Sequence, residues 1–106
     1  MTALSHILAA QAAMFKALGH PVRLRMLEAL RGGEKCVGEL QALTGQDMST
    51  VSRHLAVLRE ACIVEVEKRG TNRHYRIALR CLDTFLACSA EAIRQRAHTQ
   101  LVRLGT

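Results

Sequence analysis

Residues 37–60, VGELQALTGQDMSTVSRHLAVLRE, decide the fold because they contain two short helical patterns separated by a turn. Helices are predicted at 37–43 and 48–60, where apolar residues recur at the three- and four-residue spacing of one helix face. Between them, Gly45 can adopt the left-handed conformation, and Asp47 is a suitable N-cap for the second helix. The inward positions are Val37, Leu40 and Leu43, then Val51, Leu55 and Leu58. This arrangement predicts a helix-turn-helix motif.

The outward face of the second helix carries small polar side chains. A step of about 100° per residue places Ser49 and Arg53 opposite the apolar stripe, with Thr50 and Ser52 on its flanks. Short hydroxyl side chains let a helix enter the major groove, where an arginine can pair with guanine. An ordinary solvated face is the simpler alternative. His54 is also a candidate contact, although its place beside the inward stripe favours a hydrogen-bonded, half-buried imidazole.

A basic hairpin is predicted directly after the second helix, at residues 63–79. Apolar and polar residues alternate with a period of two in 63–68 and 74–79, and residues 69–73 (RGTNR) supply the turn. A basic hairpin in this position is a wing, whose cations meet phosphates or the minor groove, although solvated hairpin charges are common. The candidate contacts are Lys68, Arg69 and Arg73.

Three more helices are predicted around this unit, at 3–18, 21–31 and 82–104. The chain is therefore expected to be mainly α with a small β-hairpin, in the order α-α-α-α-β-β-α, as a single domain over 1–106. The terminal helices, 1–18 and 82–104, present apolar faces that a small domain cannot cover alone, so we expect them to form a homodimer interface. Packing of both helices within one subunit is the alternative.

Composition points to duplex DNA as the partner. Lys and Arg number 15 against 9 Asp and Glu, which gives a net charge of +6. Aromatic platforms for single strands are lacking, since the chain has no Trp, one Tyr and two Phe.

Other classes of protein are disfavoured. No apolar run approaches the roughly 18 residues of a membrane span, and no secretory leader is visible, so a cytoplasmic location without membrane contact is expected. None of the five histidines has a carboxylate or nucleophile at the spacing of a known catalytic motif, so no enzyme is expected. The four cysteines are expected to be free thiols.

Three stretches closely resemble the ArsR/SmtB family of metal-sensing repressors. They are FKALGHPVRLRML at 15–27, VGEL at 37–40 and STVSRHLAVLR at 49–59. With the strand pair, the resemblance covers nearly the whole chain. It implies a dimeric repressor that occupies an operator overlapping its promoter and leaves when an inducer binds.

The resemblance also excludes one inducer site. Some members bind zinc on the last helix through an Asp, a His two residues later, a His thirteen later and a Glu sixteen later. Counting from Asp83, those positions hold Phe85, Arg96 and Thr99, so this zinc site is absent. An arsenic site reading Cys-Val-Cys in the third helix is incomplete, because only Cys36 is kept.

Arsenic-binding cysteines at the start of the last helix match better. The gap from Cys81 to Cys88 resembles that arrangement, and soft thiolates favour trivalent arsenic or antimony. Two helical residues seven apart are separated by about 10 Å, so Cys81 is expected in the preceding loop, folded back toward Cys88. Cys36 or a partner subunit supplies the third thiol in this hypothesis. Cys62 stands where the family usually places a helix-ending glycine, so no sensing role is expected for it.

Two alternatives remain open. The same cysteines can act as a thiol switch that forms a disulfide or polysulfide in response to oxidants or sulfide. A protein-interaction module that no longer reads DNA is the alternative from another class.

Overall fold

The structure, a computed structural model, describes residues 2–105, so residues 1 and 106 of the predicted domain lie outside the described part. The elements in chain order are α1 (Ala3–Leu18), α2 (Pro21–Leu30), β1 (Lys35–Cys36), α3 (Val37–Thr44), α4 (Met48–Glu60), β2 (Val64–Arg69), β3 (Asn72–Ile77) and α5 (Leu82–Arg103). The predicted winged helix-turn-helix fold, mainly α with a small hairpin, is confirmed.

Local chemistry sets both ends of α4, the second helix of the helix-turn-helix motif. The Asp47 carboxylate accepts a hydrogen bond of 2.7 Å from the Thr50 backbone N–H, as an N-cap does. At the other end Cys62 has a φ of 62°. The backbone N–H of Ile63 reaches the Leu58 carbonyl and that of Cys62 the Arg59 carbonyl, which is a Schellman motif. Cys62 therefore occupies a glycine-type position with an exposed side chain.

Between the two helices of the motif, Gly45 ends α3 with a φ of 70°, as its sequence position indicates. The inward placement of Leu43 was wrong, since this side chain is 47% exposed. Leu40 is the buried residue of α3, and Val37 is half-buried against the same core, as predicted.

The wing belongs to a three-stranded antiparallel sheet in the order β1-β3-β2. The two-residue β1 was not predicted, because so short a strand has no periodic pattern and forms only by pairing with β3. The hairpin is also tighter than predicted. Arg69 pairs with Asn72, so Gly70 and Thr71 alone make the turn, and Arg69 and Arg73 are strand residues.

The core lies where α2, α3, α4 and the sheet meet. Its buried residues are Ala17, Met26, Leu27, Leu30, Leu40, Val51, Leu55, Leu58, Ile63, Val64, Tyr75 and Leu82. Burying each large aliphatic side chain stabilises the fold by about 1.5–3 kcal/mol. Leu82 anchors the first turn of α5, and the Arg31 guanidinium adds a 2.7 Å ion pair from the end of α2 to Asp83.

Beyond its first two turns, α5 is mostly exposed and leaves apolar side chains uncovered, as does α1. Phe15 of α1 and Phe85 of α5 meet edge-on with centroids 6.3 Å apart, yet both remain half exposed or more. The other large exposed apolar side chains on these helices are Leu4, Ile7, Leu8, Ile93, Leu101 and Val102. Among residues 2–105, no helix combines the length and apolar character needed to cross a membrane.

Candidate nucleic-acid interface

The outer face of α4 is polar and open. Ser49, Ser52 and Arg53 are exposed and Thr50 is half-buried. Their recorded hydrogen bonds are local: Ser49 Oγ donates to the Asp47 carboxylate at 3.0 Å, and the Arg53 guanidinium to the Thr50 hydroxyl at 3.3 Å. The first two turns of α4 therefore present hydroxyl groups and a guanidinium toward the surface, as entry into a major groove requires.

His54 has a different environment. It is half-buried, its ring centroid lies 4.5 Å from that of His20, and its Nδ1 lies 3.3 Å from the Arg23 guanidinium. The structure thus places it against the α1–α2 junction as a hydrogen-bonded, half-buried imidazole. The sequence interpretation favoured this environment over a base contact.

The two faces of the wing differ in charge. Strand alternation places Lys68 and Arg73, which are register partners, on the same side as the buried Tyr75. This side faces α4, and Arg73 lines a groove of about 820 Å³ between the wing, α3 and α4. Among residues 2–105, no ion pair of Lys68 or Arg73 is recorded, so both cations are available to phosphates.

The opposite face of the wing is an ion-paired network. The Arg69 guanidinium donates to the carboxylates of Glu34 and Glu67, and Arg76 donates to Glu65 at 2.7 Å. The neighbouring Arg69 guanidinium also holds the pKa of Glu34 below its ordinary value. Arg69 remains a predicted DNA contact. Because its charge is already balanced within the subunit, it is the weakest candidate among the three wing cations.

Sequence reasoning did not single out Arg59 and Asn72, which line the same groove as Ser52 and Arg73. A usable signal exists for Arg59: it follows Ser52 by seven residues, so both lie on one face of α4. Asn72 required knowledge of the hairpin register.

Cys81 and Cys88 line one apolar pocket of about 500 Å³ between α1 and the start of α5, together with Phe15 and Phe85. Cys81 is the N-cap residue of α5, but its φ of −79° and ψ of −5° are right-handed helical. Cys81 thus precedes the first residue of α5, as expected, but the chain follows the helical path there and does not fold back toward Cys88, contrary to expectation. A rise of about 1.5 Å per residue separates the two Cα atoms by about 10 Å.

Cys36 lies elsewhere. It is the N-cap residue of α3, its backbone N–H donates to the Glu39 carboxylate at 3.0 Å, and it lines the groove beside the wing. Within the described part of the subunit, no three His, Cys, Asp or Glu residues are grouped as a metal ion would need. One subunit by itself thus offers two thiols facing one pocket and a third at a separate site.

Comparisons with known proteins agree with this geometry. Residues 20–66 match the family described as bacterial regulatory protein, arsR family. The biofilm growth-associated repressor of Agrobacterium fabrum is 42% identical over 67 residues, which cover 63% of this chain and 57% of that protein. HTH-type transcriptional regulator Rv0324 of Mycobacterium tuberculosis is 38% identical over 63 residues, but the chain spans only 28% of its length.

Solved structures match over nearly the whole chain. The homodimeric winged helix-turn-helix DNA-binding domain of Mb0332 from Mycobacterium bovis has a TM-score of 0.84 at 27% identity, covering 93% of this chain and 92% of that one. Rv0081 of Mycobacterium tuberculosis has a TM-score of 0.80 at 30% identity, covering 95% and 99%. Sequence, fold and the placement of the recognition helix beside a basic wing together show that this chain belongs to the ArsR family of bacterial regulatory proteins.

Proposed function

We propose that the protein is a homodimeric transcriptional repressor that binds duplex operator DNA through α4 and the wing. One observation carries the proposal: Ser52 and Arg59 of α4 and Arg73 of the wing line a single groove. Lys68, the register partner of Arg73, lies on the same side of the wing. Helix insertion into the major groove together with phosphate contacts from Lys68 and Arg73 follows from this geometry.

The exposed apolar faces of α1 and α5 support a dimer. Soluble monomers rarely expose large contiguous apolar patches, and α1 and α5 carry most of the exposed large apolar side chains. A second copy covers these faces in the proposed dimer and sets the separation of the two recognition helices. The match to Mb0332, a domain described as homodimeric, supports this assembly.

The proposed inducer is thiophilic, with trivalent arsenic or antimony bound by Cys81 and Cys88. The shared pocket of these thiols supports this site, and the helical separation of about 10 Å requires a further thiol, from the partner subunit or from Cys36. The Arg31–Asp83 ion pair gives a route from the start of α5 to α2, and so to the DNA-binding motif.

A thiol switch is the second candidate, because it needs only two thiols, whereas a trivalent ion prefers three. A direct disulfide needs Cα atoms within about 7 Å, so the first turns of α5 must open for Cys81 to reach Cys88. In that case a two-electron oxidant, such as a peroxide or a polysulfide formed by oxidation of sulfide, links Cys81 to Cys88, or Cys36 to Cys88. The oxidant takes up the two electrons and two protons that the thiols lose, and no ion remains bound.

Fluorescence anisotropy of the reduced protein on labelled duplex DNA from upstream of its own coding sequence tests these proposals. Release by near-stoichiometric arsenite, lost in Cys81→Ser and Cys88→Ser but kept in the matched control Cys62→Ser, is the expected result. Tight binding unaffected by arsenite and by a parallel zinc titration rejects the metalloid sensor. A covalent crosslink in mass spectra then identifies the thiol switch, and failure of the reduced dimer to bind this DNA favours a protein-interaction module.

A further inference from the structure

A cluster of three side chains joins α1, α2 and the recognition helix. Arg23 of α2 donates from Nε to the Ala17 carbonyl at 2.6 Å, and its guanidinium lies 3.3 Å from Nδ1 of His54 on α4. His20, the N-cap of α2, packs against the His54 ring. Arg23 thus bridges one of the unpaired carbonyls at the end of α1 to the middle of α4.

Hydrogen-bond chemistry fixes where the protons lie. The backbone N–H of Val22 donates to Nδ1 of His20 at 3.1 Å, and the Arg23 guanidinium, which can only donate, faces Nδ1 of His54. Both Nδ1 atoms are therefore acceptors, and the His54 ring carries its single proton on Nε2. A second proton on His54 must enter at Nδ1, where it removes the hydrogen bond from Arg23.

The surroundings oppose a charge on His54. Burial, followed by the nearby charges, lowers its pKa from the ordinary value of 6.5. The groups that act on it are His20, Arg23 and Arg53, and none is a carboxylate. Beyond them, Lys16 of α1 and Glu60 of α4 line the adjoining surface beside Arg23. His54 therefore stays neutral near pH 7 and gains its proton only below 6.5, where it meets Arg23 as a like charge.

We propose that Arg23 is a positioning residue for DNA binding, which fixes the recognition helix to the end of α1 through neutral His54 and releases it when that imidazole is protonated. The proposal rests on the proposed DNA binding. Since α1 belongs to the proposed dimer interface, release changes the separation of the two recognition helices, which must match successive major grooves.

The sign of the pH effect distinguishes this role from simple electrostatics. Histidines that gain charge in acid make a protein more cationic and tighten its hold on DNA. The cluster predicts the opposite, a loss of binding as the pH falls below 6.5. Because the folded-state pKa is lowered, stability also falls over the same range, so folding must be followed in parallel.

The experiment measures binding to the same upstream duplex at constant ionic strength from about pH 8 to about pH 5, a range that brackets the ordinary histidine pKa of about 6.5. Each variant is compared with its own value at about pH 8, and far-UV circular dichroism is recorded at every pH. We expect wild-type binding to weaken at least about tenfold in acid, which is about 1.4 kcal/mol, while the helical signal is unchanged.

The variants separate positioning from folding. His54→Gln keeps an acceptor for Arg23 but cannot gain a proton. Its affinity for DNA is therefore expected not to fall in acid, so its binding curve lacks the acid limb, the part where wild-type binding weakens. Arg23→Gln binds about tenfold more weakly at about pH 8, as expected for loss of a hydrogen bond from a charged group, and its acid limb is shallower. His98→Gln, an exposed histidine on α5, keeps the wild-type curve.

Wild-type binding that tightens or stays flat in acid overturns the proposal. So does a full acid limb in His54→Gln, or a loss of binding that coincides with loss of helical signal. Failure of the wild type to bind DNA at any pH is a different result, because it refutes the proposed function itself.

Discussion

Replacement of Arg73 by alanine tests the division of the wing into a DNA-facing and an ion-paired side. Arg73 has no recorded ion pair among the described residues and lines the groove beside α4. Arg76 lies three positions further along β3 and therefore on the opposite face, where its guanidinium is bound to Glu65. Arg73→Ala and Arg76→Ala each remove one positive charge from the same strand, so the two variants differ in the side of the sheet and in the ion pairs that Arg76 makes.

The expected magnitude follows from counterion release. Each phosphate contact contributes about 0.9 to the slope of log K against log salt, so losing Arg73 from both subunits lowers the slope by about 2. A fourfold rise in salt weakens binding by about 3.5-fold per contact, and the variant is therefore about twelvefold less sensitive to that rise. Arg76→Ala is expected to leave the slope within about 0.5 of wild type.

Anisotropy titrations at four or more salt concentrations give both slopes. An equal reduction in the two variants refutes the reasoning, because the wing then acts through net charge and not through one face. An unchanged slope in Arg73→Ala places the phosphate contacts elsewhere.

Four further outcomes are expected. Cys62→Gly stabilises the protein by about 1 kcal/mol in urea unfolding, because glycine relieves the positive φ of 62°. Leu55→Ala, at a fully buried position on α4, costs about 2–5 kcal/mol in the same assay. Asp47→Ala lowers the melting temperature at neutral pH. The hydrogen bond from the Thr50 N–H holds the pKa of Asp47 below 3.8. The stabilisation from this cap is therefore present above pH 3.8 and is lost as the pH falls through the folded-state pKa. The melting temperatures of wild type and variant are expected to converge in acid. Ile93→Glu, at a side chain 69% exposed on α5, converts the proposed dimer to monomer in sedimentation equilibrium.

Local patterns were sufficient for the helix-turn-helix. The apolar stripe of α4, its cap at Asp47 and the left-handed Gly45 act within a few residues, so sequence alone located them. Leu43 was misplaced because helix periodicity gives a direction but not the extent of the core. The strand β1 was missed because two residues carry no period.

The candidate sites divide in the same way. Helix geometry predicted the outward residues of α4 without a structure, because their orientation depends only on the helical turn. The wing cations were identified by type, but their availability was not, since Arg69 is bound by Glu34, a residue 35 positions away. The cysteines were recognised as a pair at the start of α5, whereas the helical backbone at Cys81 appeared only in the structure.

The sequence by itself therefore determined the order of elements, the recognition helix and the basic wing, because helix and strand periods, caps and turns are short-range properties. Only the tertiary structure decided which cations remain free, which thiols share a pocket and how Arg23 bridges to His54. Those features depend on contacts between residues far apart in the chain, and such contacts follow from the packing of the whole core.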